Sequence, residues 1–351
     1  MSMPGEVARE RAMLPRPRPR DMGPSGLIKR LLPPPLRKVQ DDLETRLARI
    51  PTPLNEFGVD PFGYEPRFAA QVLLPIALAY RYWLRVETTG IERVPEGRVL
   101  LIANHGGNTF AWDGAMLSMS LLLDAEPPRV VRGMAEYYLP TLPFFGTLMH
   151  RVGSVVGTPS NCAQLLDRGE AIMVFPEGER GFVKPYTERY QLQRFGLGFM
   201  RLALETDTPI VPVGIVGSEE QSPGLLRSRW LGSLVGAPVA PITLTFPWLG
   251  LASFLPLPVK FRLHFGEPLC FSGGANEEDD AIAAKVSRVK QAVAELLAEG
   301  LRSRRGRAPS EGQRAGSVPR KTLVAANNQT RGAERARSVT RRAAAPARGP
   351  P

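Results

Sequence analysis

Short apolar runs rich in β-branched residues recur from Arg98 to Gly266. They read RVLLIAN (98–104), PRVVRGM (128–134), GSVVGT (153–158), AIMVFP (171–176), PIVPVGIVG (209–217) and VKFRLHFG (259–266). Each is too short for a helix and is bounded by glycine, proline or charge, the mark of a buried strand. Between them lie DGAMLSMSLLL (113–123), NCAQLLDRG (161–169) and GLGFMRLALET (196–206), which read as helices. This alternation predicts an α/β fold whose central sheet, largely parallel or mixed, is flanked by helices. Ligands of such a sheet bind beyond the carboxyl ends of its strands.

A closing helix is predicted over NEEDDAIAAKVSRVKQAVAELLAEGL. Four acids suit its N-terminus, and Ile282, Val286, Val289, Val293 and Leu296 recur at steps of three and four up to about Gly300. Ala69 to Tyr80 is apolar but too short to span a bilayer and contains Pro75; Arg81, Tyr82, Trp83 and Arg85 follow it. The pattern suits an N-terminal interfacial helix, and equally a core helix. Leu231 to Val259 holds no charged residue in 29 positions, yet its five prolines argue against a spanning helix. It reads as loops and short strands around an apolar surface.

The 351 residues are 43% hydrophobic, enough for a sizeable core. The net charge of +11 is unevenly spread: residues 302–351 carry 13 Arg or Lys against two Glu, so residues 1–301 sum to zero. Residues 1–40 add nine basic residues, three acids and eight prolines. Three segments follow: a basic proline-rich arm (1–62), a folded body (63–301) and a basic disordered tail (302–351). Such arms are either solvated or attached to anionic lipid head groups. No aromatic residue interleaves the tail's arginines, so nucleic acid is not an expected partner. Cys162 and Cys270 offer neither a disulfide framework nor a CxxC pair, and the N-terminus lacks a secretory apolar core. A cytoplasmic protein, peripherally associated with a membrane, is expected.

The chemistry concentrates in LIANHGGNTFAWDGAML (101–117). His105 directly follows a strand, Gly106 and Gly107 let the backbone turn sharply, and Asp113 falls in the first turn of the next helix. A carboxylate there can accept from one ring nitrogen and leave the other free to take a proton, the arrangement of a general base with its orienting acid. The same residues also suit a capping aspartate beside a surface histidine. VFPEGER places Glu177, Gly178, Glu179 and Arg180 in a turn at another strand's carboxyl end, and Pro212 interrupts a third strand in a way suited to shaping a pocket.

Taken in order, an N-H near an aspartate, GSVVGTPSN, F-P-E-G-x-R and V-P-V resemble the four blocks of the glycerolipid and lysophospholipid acyltransferase superfamily, over roughly Tyr80 to Pro268. The likeness is closest to its monoacylglycerol and diacylglycerol acyltransferase-like branch. The resemblance implies that residues 63–301 form an acyltransferase domain moving a fatty acyl group from acyl-CoA, or from acyl carrier protein, to a glycerolipid or lysophospholipid hydroxyl. It implies His105 as base, Asp113 as its partner, and Glu177, Gly178 and Arg180 as acceptor-binding residues. Transfer is direct, with no acyl-enzyme. Chemistry of this kind also needs oxyanion donors, for which the backbone N–H groups of Gly106 and Gly107 are candidates. Lys184, Arg189 and Arg194, set among aromatic residues, are candidates for donor phosphates. No cofactor or metal is implied.

Two departures stand out. The superfamily commonly has four residues between histidine and aspartate; here there are seven, so pairing needs a longer loop through the glycines. Where the second block often carries a phosphate-gripping arginine, this chain has Thr158, Pro159 and Ser160, which favours a neutral or bulkier alcohol over lysophosphatidate, with Arg180 or Lys184 as the alternative partner for a phosphate. An inactive membrane-binding scaffold with the same fold is the alternative reading. A serine hydrolase lacks its G-x-S-x-G, a P-loop is missing, Cys162 sits in a helix as a packed residue, and His150 and His264 stand without ligand spacing for zinc.

Overall fold

A computed structural model describes residues 32–137, 139, 145–234 and 238–304. Its strands are Glu87–Thr89 (β1), Val99–Ala103 (β2), Val131–Ala135 (β3), Val155–Val156 (β4), Ala171–Val174 (β5), Ile210–Val216 (β6), Gly224–Ser228 (β7), Ala240–Thr243 (β8) and Arg262–Phe265 (β9). The α-helices are Pro34–Ala48 (α1), Pro66–Val72 (α2), Leu74–Leu78 (α3), Trp112–Leu123 (α4), Phe145–Arg151 (α5), Pro159–Asp167 (α6), Glu179–Phe182 (α7), Gly198–Glu205 (α8), Arg229–Leu234 (α9) and Asp279–Arg304 (α10). All six predicted strands and the three helices between them are present.

The main sheet runs β1-β9-β6-β2-β5-β3-β4. Its centre is parallel, with β2 registered against β5 (Val99 with Ala171) and against β6 (Leu100 with Ile210). β9 is antiparallel to β6, and β1 is parallel to β9, so one edge runs against the rest. β2 is buried along its whole length, and its period of two feeds two cores. Leu101 and Ala103 pack with α1 and α4, whereas Leu100 and Ile102 pack with α6, α8 and α10. A sheet covered on both faces accounts for strands that are apolar throughout rather than alternating. The carboxyl ends of β2, β5 and β6 therefore open together at one rim.

Pro212 lies inside the sheet, in β6. Ile210 exchanges hydrogen bonds with Leu269, and the Pro212 carbonyl accepts from Gly266 N–H. The missing donor thus falls at the irregular end of the β6–β9 ladder, where a proline is tolerated.

Three expectations are corrected. Residues 34–48, assigned to the arm, form α1: Pro34 starts the helix and Val39, Leu43 and Leu47 bury one stripe against the core. Ala69 to Tyr80 is not a single helix. It is divided among α2, α3 and a π-helical turn at Ala79–Trp83, with Pro75 at the start of the second piece and Ala69, Ala77 and Tyr80 buried. The closing helix buries Ile282, Val286, Val289 and Val293 as predicted, but Leu297 rather than Leu296 completes the stripe. Residues 1–31, and the basic tail beyond Arg304, lie outside the described residues.

Arg132, on β3, is 2% exposed and meets Glu170 at 2.5 Å and Asp60, with Tyr64 beneath its guanidinium. Asp60 also accepts from Phe62 and Tyr64 N–H, so this buried cluster ties the segment before α2 to the sheet. Cys162 is buried in α6 against Met134, and burial pushes its thiol up to about 11, the state of a packed residue rather than a nucleophile.

Candidate active site

His105 leaves the end of β2 as the chain turns through Gly106, Gly107 and Asn108 into α4. Asn108 takes a left-handed φ of 57° to close that turn. The loop brings Asp113 Oδ2 to 2.7 Å from His105 Nδ1, despite the seven residues between them. Asp113 is fully buried and also accepts from Gly106 N–H at 2.8 Å and, through Oδ1, from Gly114 N–H at 2.8 Å. Burial, the largest influence, pushes its carboxyl up; the imidazole and the two backbone donors outweigh it and hold the carboxyl below the ordinary aspartate value. An ionised Asp113 only accepts, so Nδ1 is the nitrogen that donates, and in the neutral imidazole Nε2 then presents a lone pair. Nε2 has no hydrogen-bond partner among the described residues.

The imidazole is stacked on Phe175 (4.2 Å between centroids, 16°) and tilted against Phe182 at 5.0 Å. Neither phenylalanine was expected in the site, although Phe175 lies within the FPEG block and its position was therefore readable. The two rings leave the histidine side chain 13% exposed.

A buried ionic cluster lies behind the loop. Glu177 is 4% exposed; its Oε1 accepts from His105 N–H at 2.9 Å and its Oε2 from Gln193 N–H at 2.6 Å. Lys184 Nζ lies 3.6 Å from Glu177 Oε2 and 2.9 Å from Glu219 Oε1. Glu219, which follows β6, also accepts from Tyr190 N–H, and burial pushes its carboxyl up even against the neighbouring lysine. The cluster joins the chain after β2, β5 and β6. Gly106 is required here, because a Cβ on it would stand 2.3 Å from Glu219 Cγ. Glu219 was visible in the motif VGSEE, but nothing in the sequence pairs it with Lys184.

Four site expectations change. Glu177 lines the cleft, but its carboxylate is committed to the His105 and Gln193 backbone N–H groups, so it also positions the loop that carries the histidine. Lys184 is enclosed between two carboxylates, so its charge is not available to a donor phosphate. Gly106 N–H is committed to Asp113 and cannot serve an oxyanion. Arg189 stacks on Tyr186 at 4.5 Å and does not line the cleft.

That cleft, about 520 Å³, lies beyond the ends of β3 and β5. Its walls include Phe175, Gly178, Arg180, Arg194 and Glu136. Arg180 and Arg194 are exposed and line it. Gly178 makes the turn with φ 57° and ψ −145°, a conformation open essentially to glycine alone. In the second block, Thr158 accepts from Asn161 N–H and caps α6, so this stretch presents no cation. No group of metal-ligating side chains occurs among the described residues.

An imidazole held by a buried carboxylate thus stands at the carboxyl rim of the sheet, beside the turn that carries FPEGER. Residues 85–216 match the family described as Acyltransferase. A Mycobacterium leprae protein, itself uncharacterized, is 37% identical over 256 residues, covering 71% of this chain and 70% of that protein. The chain belongs to the acyltransferase family. An uncharacterized Mycobacterium tuberculosis protein is 39% identical over 228 residues; the match takes in 64% of this chain and spans 63% of that relative's length. A mouse protein named DGAT1/2-independent enzyme synthesizing storage lipids is 24% identical over 60% of each chain. Among solved structures, the 1-acyl-sn-glycerophosphate acyltransferase of Thermotoga maritima matches 77% of this chain and 86% of its own, with 18% identity and a TM-score of 0.41.

Proposed function

We propose that this acyltransferase moves a fatty acyl group from an acyl thioester, carried by coenzyme A or acyl carrier protein, to a hydroxyl of a glycerolipid. His105 Nε2 takes the acceptor's hydroxyl proton as the oxygen attacks the thioester carbonyl. The new C–O bond forms, the C–S bond breaks, and the imidazolium returns the proton to the departing thiolate. Asp113 fixes the tautomer and stabilises the transient imidazolium, and a positioned base of this kind supplies about 10²- to 10⁴-fold in rate. Acyl transfer is direct, because Cys162 is buried and no nucleophile accompanies His105 within hydrogen-bond reach among the described residues.

The observation that carries this reading is the 2.7 Å contact between His105 Nδ1 and the buried Asp113 carboxylate. It supports the enzyme reading over the inactive-scaffold alternative, which rested on the long spacing between the two. Arg180 and Arg194 support an anionic group of one co-substrate in the cleft. The capped, cation-free second block favours a neutral acceptor hydroxyl, and the mouse relative's name, which assigns it to storage-lipid synthesis, agrees with that choice.

The test is transfer of labelled palmitoyl-CoA, and of palmitoyl-acyl carrier protein, to a panel of lysophosphatidate, lysophosphatidylcholine, monoacylglycerol, diacylglycerol and a long-chain alcohol. Labelling of monoacylglycerol or diacylglycerol supports the reading. Labelling of lysophosphatidate alone overturns the neutral acceptor, and no labelling from either donor overturns the activity.

A further inference from the structure

The described surface carries one dense apolar patch. Of sixteen exposed large hydrophobic side chains among the described residues, eleven fall between Leu225 and Leu257. They include Trp230 at 72%, Trp248 at 71%, Leu251 at 86% and Leu255 at 69% exposure. A monomeric soluble surface rarely leaves so many together. The segment forms a small lobe: β7 pairs antiparallel with β8 in a sheet separate from the main one, joined by α9 and followed by a short 3₁₀ turn at Gly250–Phe254.

We propose that this lobe is a docking surface for an anionic lipid bilayer, with its tryptophans and leucines seated in the head-group and upper acyl region. Three observations select a bilayer over a protein or a second copy of this chain. First, the chemistry is that of an interfacial anchor, in which tryptophan and leucine combine with cations. Residues 224–259 contain no acid, and of their two arginines Arg227 is paired with Glu188 at 3.4 Å, which leaves Arg229 to complement negative head groups. Arg229 is exposed with no acidic partner among the described residues, and Arg85 Nη2 is held on the lobe by the Pro258 carbonyl at 3.0 Å.

Second, the patch continues onto a separate element. Trp83 Nε1 donates to the Pro256 carbonyl at 2.8 Å, which places half-exposed Tyr82 and Trp83 beside the lobe. Third, the lobe is fastened to the loop that carries His105. Trp112 Nε1 donates to the Phe254 carbonyl at 2.9 Å, Asn108 Nδ2 to Ser222 at 2.7 Å, and Gln221 Nε2 to Gly107 at 2.8 Å. A bilayer bound at the lobe is therefore next to the proposed reaction centre. No helix among the described residues is long and apolar enough to cross a membrane, and the lobe supplies attachment at the surface instead.

The experiment is sedimentation of the full chain with vesicles of phosphatidylcholine alone and of phosphatidylcholine with phosphatidylglycerol. It compares wild type, the triple variant Trp248→Ser/Leu251→Ser/Leu255→Ser, the single variant Leu251→Glu, and Arg85→Gln/Arg229→Gln. The triple variant is expected to lower partitioning about tenfold or more on mixed vesicles, since binding scales with buried apolar area. Leu251→Glu, at the most exposed position, should do so in part, with an unaltered melting temperature. The arginine pair should weaken binding only where phosphatidylglycerol is present. Wild-type-like sedimentation of both apolar variants overturns the proposal, as does a wild-type dimer that the triple variant dissociates while vesicle binding persists. The readout needs no turnover, so it stands or falls separately from acyl transfer, which is followed with acceptors dispersed in detergent.

Discussion

Asp113 Oδ2 accepts two hydrogen bonds at once, from the His105 ring at 2.7 Å and from the Gly106 backbone at 2.8 Å. One oxygen thus fixes both the tautomer of the base and the path of the loop that carries it. Asp113→Asn disrupts the first function and much of the second, because an amide can offer its donor to Nδ1 and reverse the tautomer. Its kcat should fall about 10²- to 10⁴-fold while KM for the thioester changes little, as steady-state kinetics would show.

The same carboxylate links stability to pH. Its native pKa lies below the unfolded value of about 3.9, so its contribution is complete above that value and is lost as the pH falls through the lower native one. Denaturant midpoints of wild type and Asp113→Asn should differ by a constant amount near neutrality. Below about pH 4 the gap should close; a gap that widened on acidification would contradict the assignment.

Lys184 separates a structural role from a substrate contact. Lys184→Met leaves Glu177 and Glu219 buried without their cation, and loss of one partner of a buried pair costs about 3–5 kcal/mol. Thermal and denaturant unfolding should report that loss. A variant of wild-type stability whose only change is a raised KM for acyl-CoA would restore the phosphate-binding role instead.

Much of this architecture was legible because the strands of a sheet covered on both faces are unbroken apolar runs. α1 was not: a polar helix that starts within three prolines and buries a single stripe has the composition of a linker, and only Val39, Leu43 and Leu47 at steps of four betray it. β1 is three residues long and mostly exposed, too little for a pattern. In the site, His105 and Asp113 could be read because a histidine at a strand's end and an acid in a helix's first turn are local signals. The fate of Lys184 was hidden because pairing is a tertiary property: a lysine among tyrosines reads alike whether its charge faces solvent or two buried carboxylates. Gly106 was misread for a related reason, since which acceptor a backbone N–H meets depends on how the loop closes.

Arg180 and Arg194 remain exposed to the cleft, where they are free to meet an anion. Arg180→Ala/Arg194→Ala should raise KM for the anionic co-substrate about tenfold and flatten its salt dependence, with kcat nearly unchanged. Kinetics at two ionic strengths, varying donor and acceptor in turn, identify which co-substrate carries the charge.

The central claim is that His105 is the base for acyl transfer. Its most direct test is kcat for the preferred acceptor in wild type and His105→Ala, each checked for a cooperative thermal transition. The account expects a fall of about 10²- to 10⁴-fold in a protein that still folds. A folded His105→Ala enzyme working within about twofold of wild type would contradict it, since a base of this kind supplies far more than that.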